Sequence, residues 1–199
     1  MNPRFTIIVP HYQGVIPHER FLEGIESLQS QTFQDFEILC YHDGPLLDTS
    51  VKFPIPIKCT DKRYNDWGHS LRDMGIQEAK GEYIIHFNPD NILYSNALEE
   101  LQKNNDPLQV FSVKMIGMEE SNGVRFYSTP RDISKSVTIT GNPAVYGNID
   151  CMQLVMKTLL WRSEEGWKDK REQSDGVMYP YFANKYNVKY ISKILGEHR

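Results

Sequence analysis

The sequence predicts an α/β fold, a mostly parallel sheet covered by helices, and three observations carry that prediction. Short apolar runs with strand character alternate with amphipathic stretches of helical period through the first half of the chain. The order reads β-α-β-β-α-β-α, the pattern of a helix-covered parallel sheet. Each main apolar run then empties into small polar residues: HY, HDG and NPDN. Taken in order, FTIIVP (5–10) is wholly apolar, as a strand buried on both faces must be. HERFLEGIESLQSQ (18–31) sets Phe21, Ile25 and Leu28 at helical spacing with acids on other faces. FEILCYH (36–42) is a second strand and IPIKCT (55–60) a short third. DWGHSLRDMGIQEAKG (66–81) reads as a helix on Trp67, Leu71, Met74 and Glu78, closed by Lys80 and Gly81. EYIIHF (82–87) is the next strand, and SNALEELQKN (95–104) opens a helix with Ser95 as its cap. DCMQLVMKTLLW (150–161) reads as a later helix fronted by Asp150.

Composition narrows the classes. The 199 residues hold 40% hydrophobic and 24% charged side chains, enough for one domain with a full core. A net charge of −4 gives no electrostatic reason for a nucleic-acid partner. Cys40, Cys59 and Cys151 lack metal-type spacing, and the first two sit in apolar runs, so both are expected in the core, reduced, in a cytoplasmic protein. The opening apolar run is too short for a signal peptide, and no segment has the length of a membrane span.

In parallel sheets ligands bind outside the carboxyl ends of the strands. His11, Tyr12 and Gln13 follow the first strand, His42, Asp43 and Gly44 the second, and Asn88, Asp90 and Asn91 follow EYIIHF. Asp, Asn, Gly and Pro are also the turn residues, so each segment alone reads first as a turn. Three such segments at strand ends point to one shared crevice for a polar ligand, with a divalent metal as a means of reaching it.

FTIIVPHYQG, IESLQSQTFQDFEILCYHDGP and GHSLRDMGIQEAKGEYIIHFNPDN, in that order, resemble the family 2 glycosyltransferases of the GT-A fold. The family pattern is a strand ending Val-Pro-x-Tyr-Asn, a helix ending Ser-x-x-x-Gln-Thr, a strand ending Asp-Asp-Gly-Ser, a helix carrying Ala-Arg-Asn-x-Gly-Ile, then Gly-Glu-Tyr-Ile and Asp-x-Asp. The resemblance covers roughly the first half. It implies a single GT-A domain, with a nucleotide-sugar-binding half at about 1–105 and an acceptor half at about 106–199.

Carried over residue by residue, the resemblance implies that Pro10, His11 and Tyr12 meet the nucleotide base. His42 and Asp43 stand where the family has paired acids, and His42 replaces the one that bonds the base, which puts the identity of the base in question. Arg72 corresponds to the family arginine, a guanidinium suited to a phosphate or a base carbonyl. Asp90 matches the last acid of Asp-x-Asp and would bind Mn²⁺ or Mg²⁺. Asn88 replaces the first acid, and Pro89 stiffens the turn. The implied donor is a nucleoside-diphosphate sugar, a UDP-sugar first, and the implied acceptor a glycan or another hydroxyl compound.

In the second half, an inverting transferase needs a carboxylate to take the acceptor proton. Asp175, in EQSDGVMYPYF (172–182), is the candidate base, with a helix cap as its plain alternative and Asp169 and Glu172 in reserve. Trp161 continues an apolar helix and is expected in the core, whereas Trp167 is the candidate acceptor platform. His198 would be a further metal ligand. Two other readings remain: a nucleotidyltransferase, in whose phosphate-binding glycines and basic residues HYQGVIPHER is poor, and a binding domain without turnover, kept open by Asn88 and His42.

Overall fold

The computed structural model describes residues 2–199. The first half runs β1 (Phe5–His11), α1 (His18–Gln29), β2 (Phe36–His42), β3 (Ile57–Cys59), α2 (His69–Glu78), β4 (Tyr83–His86), β5 (Ile92–Leu93) and α3 (Ala97–Leu101). The second half runs β6 (Leu108–Ile116), β7 (Met118–Ser121), β8 (Val124–Tyr127), β9 (Ser136–Ile139), a 3₁₀ turn at Cys151–Gln153, β10 (Leu154–Lys157), α4 (Thr158–Ser163), α5 (Asp175–Lys185) and β11 (Val188–His198). One sheet takes the order β3-β2-β1-β4-β10-β6-β11-β5, with β9 also on β6, while β7 and β8 form a separate ribbon.

Strands β1 to β4 are parallel neighbours in the register Phe5–Phe36 and Phe5–Tyr83, so the loops after β1, β2 and β4 leave the sheet at one edge. Beyond β4 the sheet is mixed, because β10 enters antiparallel between β4 and β6 and β11 then runs parallel to β6. All seven residues of β1 are buried, as its unbroken apolar run requires. Their alternation divides the core into two layers. Phe5, Ile7 and Val9 join Phe21, Ile25 and Leu28 of α1 on one face, while Ile8 joins Ile76, Trp161, Tyr179 and Phe182 on the other.

Four local expectations change. Leu154 and Met156 belong to strand β10, not to a helix fronted by Asp150. LVM is a short apolar run buried on both faces, and such a run has no periodicity that distinguishes strand from helix. Helix α2 starts at His69 and buries Leu71, Arg72, Gly75 and Ile76, leaving Trp67 outside it. Gly75 sets that face, since a Cβ there would lie 2.6 Å from Ile8 Cγ2. Helix α3 is preceded by Asn96 with no side-chain cap, and Ser95 instead offers its carbonyl to Thr32 N–H. Cys59 is exposed on the edge strand, whereas Cys40 and Cys151 are buried.

Candidate active site

At the carboxyl edge of β4 the chain reverses through Asn88-Pro89-Asp90-Asn91, closed by a 2.9 Å bond from Asn91 N–H to the Asn88 carbonyl. Proline in the second position suits such a turn, because its fixed φ is the one that position needs. Helix α1 backs directly onto it: a Cβ on Gly24 would lie 1.9 Å from the Pro89 carbonyl oxygen, so only glycine lets the helix approach this closely. Asp90 is left half-buried at the mouth of a cleft.

That cleft has a volume of about 590 Å³ and is walled by the loops after β1 to β4. Pro10, His11, Tyr12, Asp43, Asn88, Pro89 and Asp90 all line it, which unites the three polar strand ends in one crevice. Asp43 accepts the backbone N–H groups of Tyr64 (2.7 Å) and Asn65 (3.0 Å), and so shapes the loop before α2. From that loop Arg63 stacks on Tyr12, with its guanidinium carbon 3.7 Å from the ring centre. Trp67 is 63% exposed at φ 60° and turns into the cleft. Gly68 takes φ 80°, where a Cβ would meet Pro10 Cβ at 2.6 Å, so the β1 loop and the start of α2 meet without a side chain between them. Arg63, Asn65 and Trp67 were not read from the sequence as site residues; the signal was RYNDWG, aromatic and basic residues ahead of a helix.

His42 does not face the cleft as a base-contacting residue. It is fully buried, accepts Gln13 N–H at Nε2 (3.1 Å) and donates from Nδ1 to the Gly44 carbonyl (2.7 Å). Both nitrogens are spent on holding the two loops together. His11 lines the cleft with its ring stacked on Phe21 (4.5 Å between ring centres). Burial, and then the charges of His42 and His18, push His11 down to about 3, so its imidazole is neutral. Arg72 is only 3% exposed and acts one step behind the cleft, donating to Asn88 Oδ1 (2.7 Å) and to the Trp67 carbonyl (2.9 Å). The amide at position 88, in place of a carboxylate, thus serves as a neutral acceptor that a buried guanidinium orients.

A second group of charges lies across Asp90. Asp150 caps the 3₁₀ turn, accepting Met152 N–H at 3.0 Å, and its Oδ2 lies 2.9 Å from His198 Nδ1. Burial works to raise the Asp150 carboxyl, but His198 and the backbone N–H bonds outweigh it and hold it below the usual range. Burial works to lower His198, and the Asp150 and Asp90 charges outweigh it and raise it. Asp90 is raised by burial against the opposing pull of His198 and Arg20. Asp175, the first residue of α5, is pushed up to about 6 by burial and then by the Asp150 charge, with Gly176 N–H, Arg72 and His198 partly offsetting them.

The position of Asp175 is fixed through its neighbour. Ser174 Oγ accepts Trp167 Nε1–H (2.7 Å) and lies 3.1 Å from His69 Nε2, which also donates to the Arg171 carbonyl (2.9 Å). Trp167 is therefore no acceptor platform. It is 1% exposed, stacked on His69 and on Trp161, and leaves no ring face for a sugar. Trp161 lies in the core as expected. Of the reserve acids, Asp169 is clamped by Arg171 and held down to about 2, a poor base, and Glu172 is exposed.

Among the described residues no three His, Cys, Asp or Glu side chains stand close enough to hold a metal ion by themselves. Asp90 and His198 still fit a partial donor set. A hard cation shared with a diphosphate takes only one or two protein ligands, and a carboxylate oxygen of Asp90 and the imidazole of His198, whose Nδ1 meets Asp150, have the chemistry for it.

A parallel nucleotide-type half, an acidic turn after β4 and a mixed second half define the GT-A type of fold. Solved structures of that type superpose on the whole chain. S. aureus TarS 1–349 in complex with UDP-GlcNAc aligns with TM-score 0.71 at 15% identity, over 98% of this chain and 58% of that one. The mannosyltransferase PcManGT from Pyrobaculum calidifontis, in complex with GDP-Man and Mn²⁺, aligns with TM-score 0.63 at 13% identity, over 100% of this chain and 57% of that one. Residues 6–163 match the model of glycosyl transferase family 2, and the chain belongs to that family. Among curated relatives, glycosyltransferase GlyG of Streptococcus pneumoniae is 26% identical over 141 residues, 66% of this chain and 46% of the relative. The GalNAc(5)-diNAcBac-PP-undecaprenol beta-1,3-glucosyltransferase of Campylobacter jejuni is 29% identical over 112 residues, 52% of this chain and 35% of the relative. The chain spans from 14% to 58% of the length of the curated relatives it matches. No described helix is long and apolar enough to cross a membrane.

Proposed function

We propose that this chain transfers a sugar from a nucleoside-diphosphate sugar to an acceptor hydroxyl, with inversion. The observation that carries this reading is the convergence of the loops after β1, β2 and β4 on one cleft that ends at Asp90. Solved relatives of the fold hold UDP, UDP-GlcNAc and GDP-Man, which supports a nucleotide-sugar donor, UDP-linked first. In this reading residues of about 1–105 bind the donor and residues of about 106–199 receive the acceptor, within one domain.

The nucleotide lies against Pro10 and Tyr12, with Trp67 and Arg63 closing the mouth of the cleft. Arg72 holds Asn88 in position, and Asp43 keeps the Arg63–Trp67 loop in shape. Asp90 and His198 would hold Mn²⁺ or Mg²⁺, which when bound neutralises charge developing on the leaving diphosphate. Asp175 takes the proton of the acceptor hydroxyl as that oxygen attacks the anomeric carbon and the bond to the diphosphate breaks. A carboxyl near pKa 6 suits the task, being ionised at neutral pH yet more basic than an ordinary aspartate. The deciding experiment follows thermal stability of the chain with UDP, GDP and their sugar forms, each with and without Mn²⁺. Stabilisation by one nucleotide, enhanced by metal, is expected; no response across the panel would remove the donor reading.

A further inference from the structure

Beside Asp90, adjoining the nucleotide cleft, lies a second groove of about 230 Å³. It shares Val15, Ile16 and Asp90 with the first cleft, so the two are continuous. The chain as a whole carries 26 acidic against 22 basic residues, yet this groove reverses the balance locally, with Arg20, Arg131 and Arg199 facing one acid. The three arginines come from separate places: α1, the loop before β9, and the segment after β11. Arg199 is neutralised by Glu23 (2.7 Å) and Glu197 (3.4 Å). The other two form no ion pair among the described residues, although the Arg20 charge acts on Asp90 in the same groove. Arg131 spends its Nε and Nη2 on the Ile116 carbonyl (3.0 and 2.6 Å) and lies over the Tyr127 ring, with no carboxylate in ion-pair range among the described residues. Arg20 makes no hydrogen bond or ion pair among the described residues.

Two guanidiniums that form no ion pair among the described residues, at the rim of a groove that opens onto Asp90, are suited to a tetrahedral oxyanion. We propose that this groove binds a phosphate-type anion carried by the acceptor, next to the hydroxyl that is glycosylated. The assignment rests on the first cleft being the donor site: with the donor diphosphate in that cleft at Asp90, an anion in the adjoining groove belongs to the second substrate. Exposed Val15 and Ile133 add an apolar wall to the groove, which fits an acceptor with non-polar atoms beside its anionic group.

The probe is inorganic phosphate, titrated into the full chain saturated with UDP and Mn²⁺, with the arginine side-chain N–H signals followed by NMR. Saturable shifts of Arg20 and Arg131 are expected while UDP stays bound, and Arg20→Gln should weaken phosphate binding at least threefold. Arg131→Gln should weaken it further, but that side chain also braces the Ile116 carbonyl, so Arg20→Gln, which removes no hydrogen bond among the described residues, carries the test. Displacement of UDP by phosphate, an absence of saturation, or an unchanged affinity in Arg20→Gln would each overturn the proposal. The outcomes separate cleanly: failure of UDP to bind sinks the donor reading, whereas bound UDP with no phosphate site sinks only this one.

Discussion

Asp175 follows directly on the lock that Ser174, His69 and Trp167 form between α2 and α5, so its carboxyl is set relative to the donor half. Asp175→Asn should cut transfer by roughly a hundredfold or more with nucleotide affinity unchanged. The wild-type rate should rise with pH through about 6 as the base ionises, and that limb should vanish in the variant. The sign of the shift gives an independent check. An acid whose folded-state pKa lies above its ordinary 3.8 is held more tightly in its neutral form, so the fold loses stability as pH rises and the charge forms. Asp175→Asn should therefore be more stable than wild type at pH 8, by about 1 kcal/mol, in urea unfolding. The Asp150–His198 pair runs the other way. Asp150 is lowered and His198 raised, so their mutual stabilisation is lost as pH falls through the Asp150 value or climbs through the His198 value, above 6.5. The stability deficit of His198→Gln should accordingly be largest near pH 5–6 and fade by pH 9, which a pH series of thermal melts would show. At this scale the sequence disclosed the residues its strand ends present, such as Tyr12, Asp43 and Asp90. It did not disclose that the two nitrogens of His42 are consumed by Gln13 and Gly44, or that Trp167 turns inward onto Ser174, because partners distant along the chain decide both.

Helix α1 shows what was legible at the scale of elements. Phe21, Ile25 and Leu28 keep helical spacing and all three are fully buried, since the apolar face alone decides how such a helix sits. Helix α2 was read one register off: Trp67 looked apolar enough for the core, but Gly68 at φ 80° breaks the chain away first and leaves the indole in the cleft. Strand β10 was hidden inside an apolar run, and only the vacant edge between β4 and β6 makes it a strand. The contact of α1 with the acidic turn gives a test at this scale. Alanine in place of Gly24 is favoured by helix propensity by about 1 kcal/mol, yet its Cβ would lie 1.9 Å from a backbone oxygen that cannot step aside alone. The clash should win, with Gly24→Ala destabilised by about 1–3 kcal/mol in urea unfolding and with weaker nucleotide binding, as Pro89 and Asp90 are pushed outward.

Across the whole molecule, the parallel half and its family were legible because their motifs are local and fall in a fixed order. The second half was less so, for its antiparallel entry through β10 and the return of β11 beside β6 depend on pairings distant along the chain. The cleft is lined by residues of the first half of the chain, and the charges of His198 and Asp150, from the second half, act on Asp90 at its edge. Ligand held there should stabilise the entire fold: at a hundred times its dissociation constant it adds about 2.7 kcal/mol, roughly 5–10 °C for a domain of this size. The most direct test compares the thermal shift produced by UDP with Mn²⁺ in wild type and in Asp90→Asn. A shift of that size in wild type, dependent on metal and reduced to the metal-free level in the variant, is the predicted result. An equal metal-dependent shift in Asp90→Asn would contradict the account and leave Asn88-Pro89-Asp90-Asn91 as a turn and nothing more.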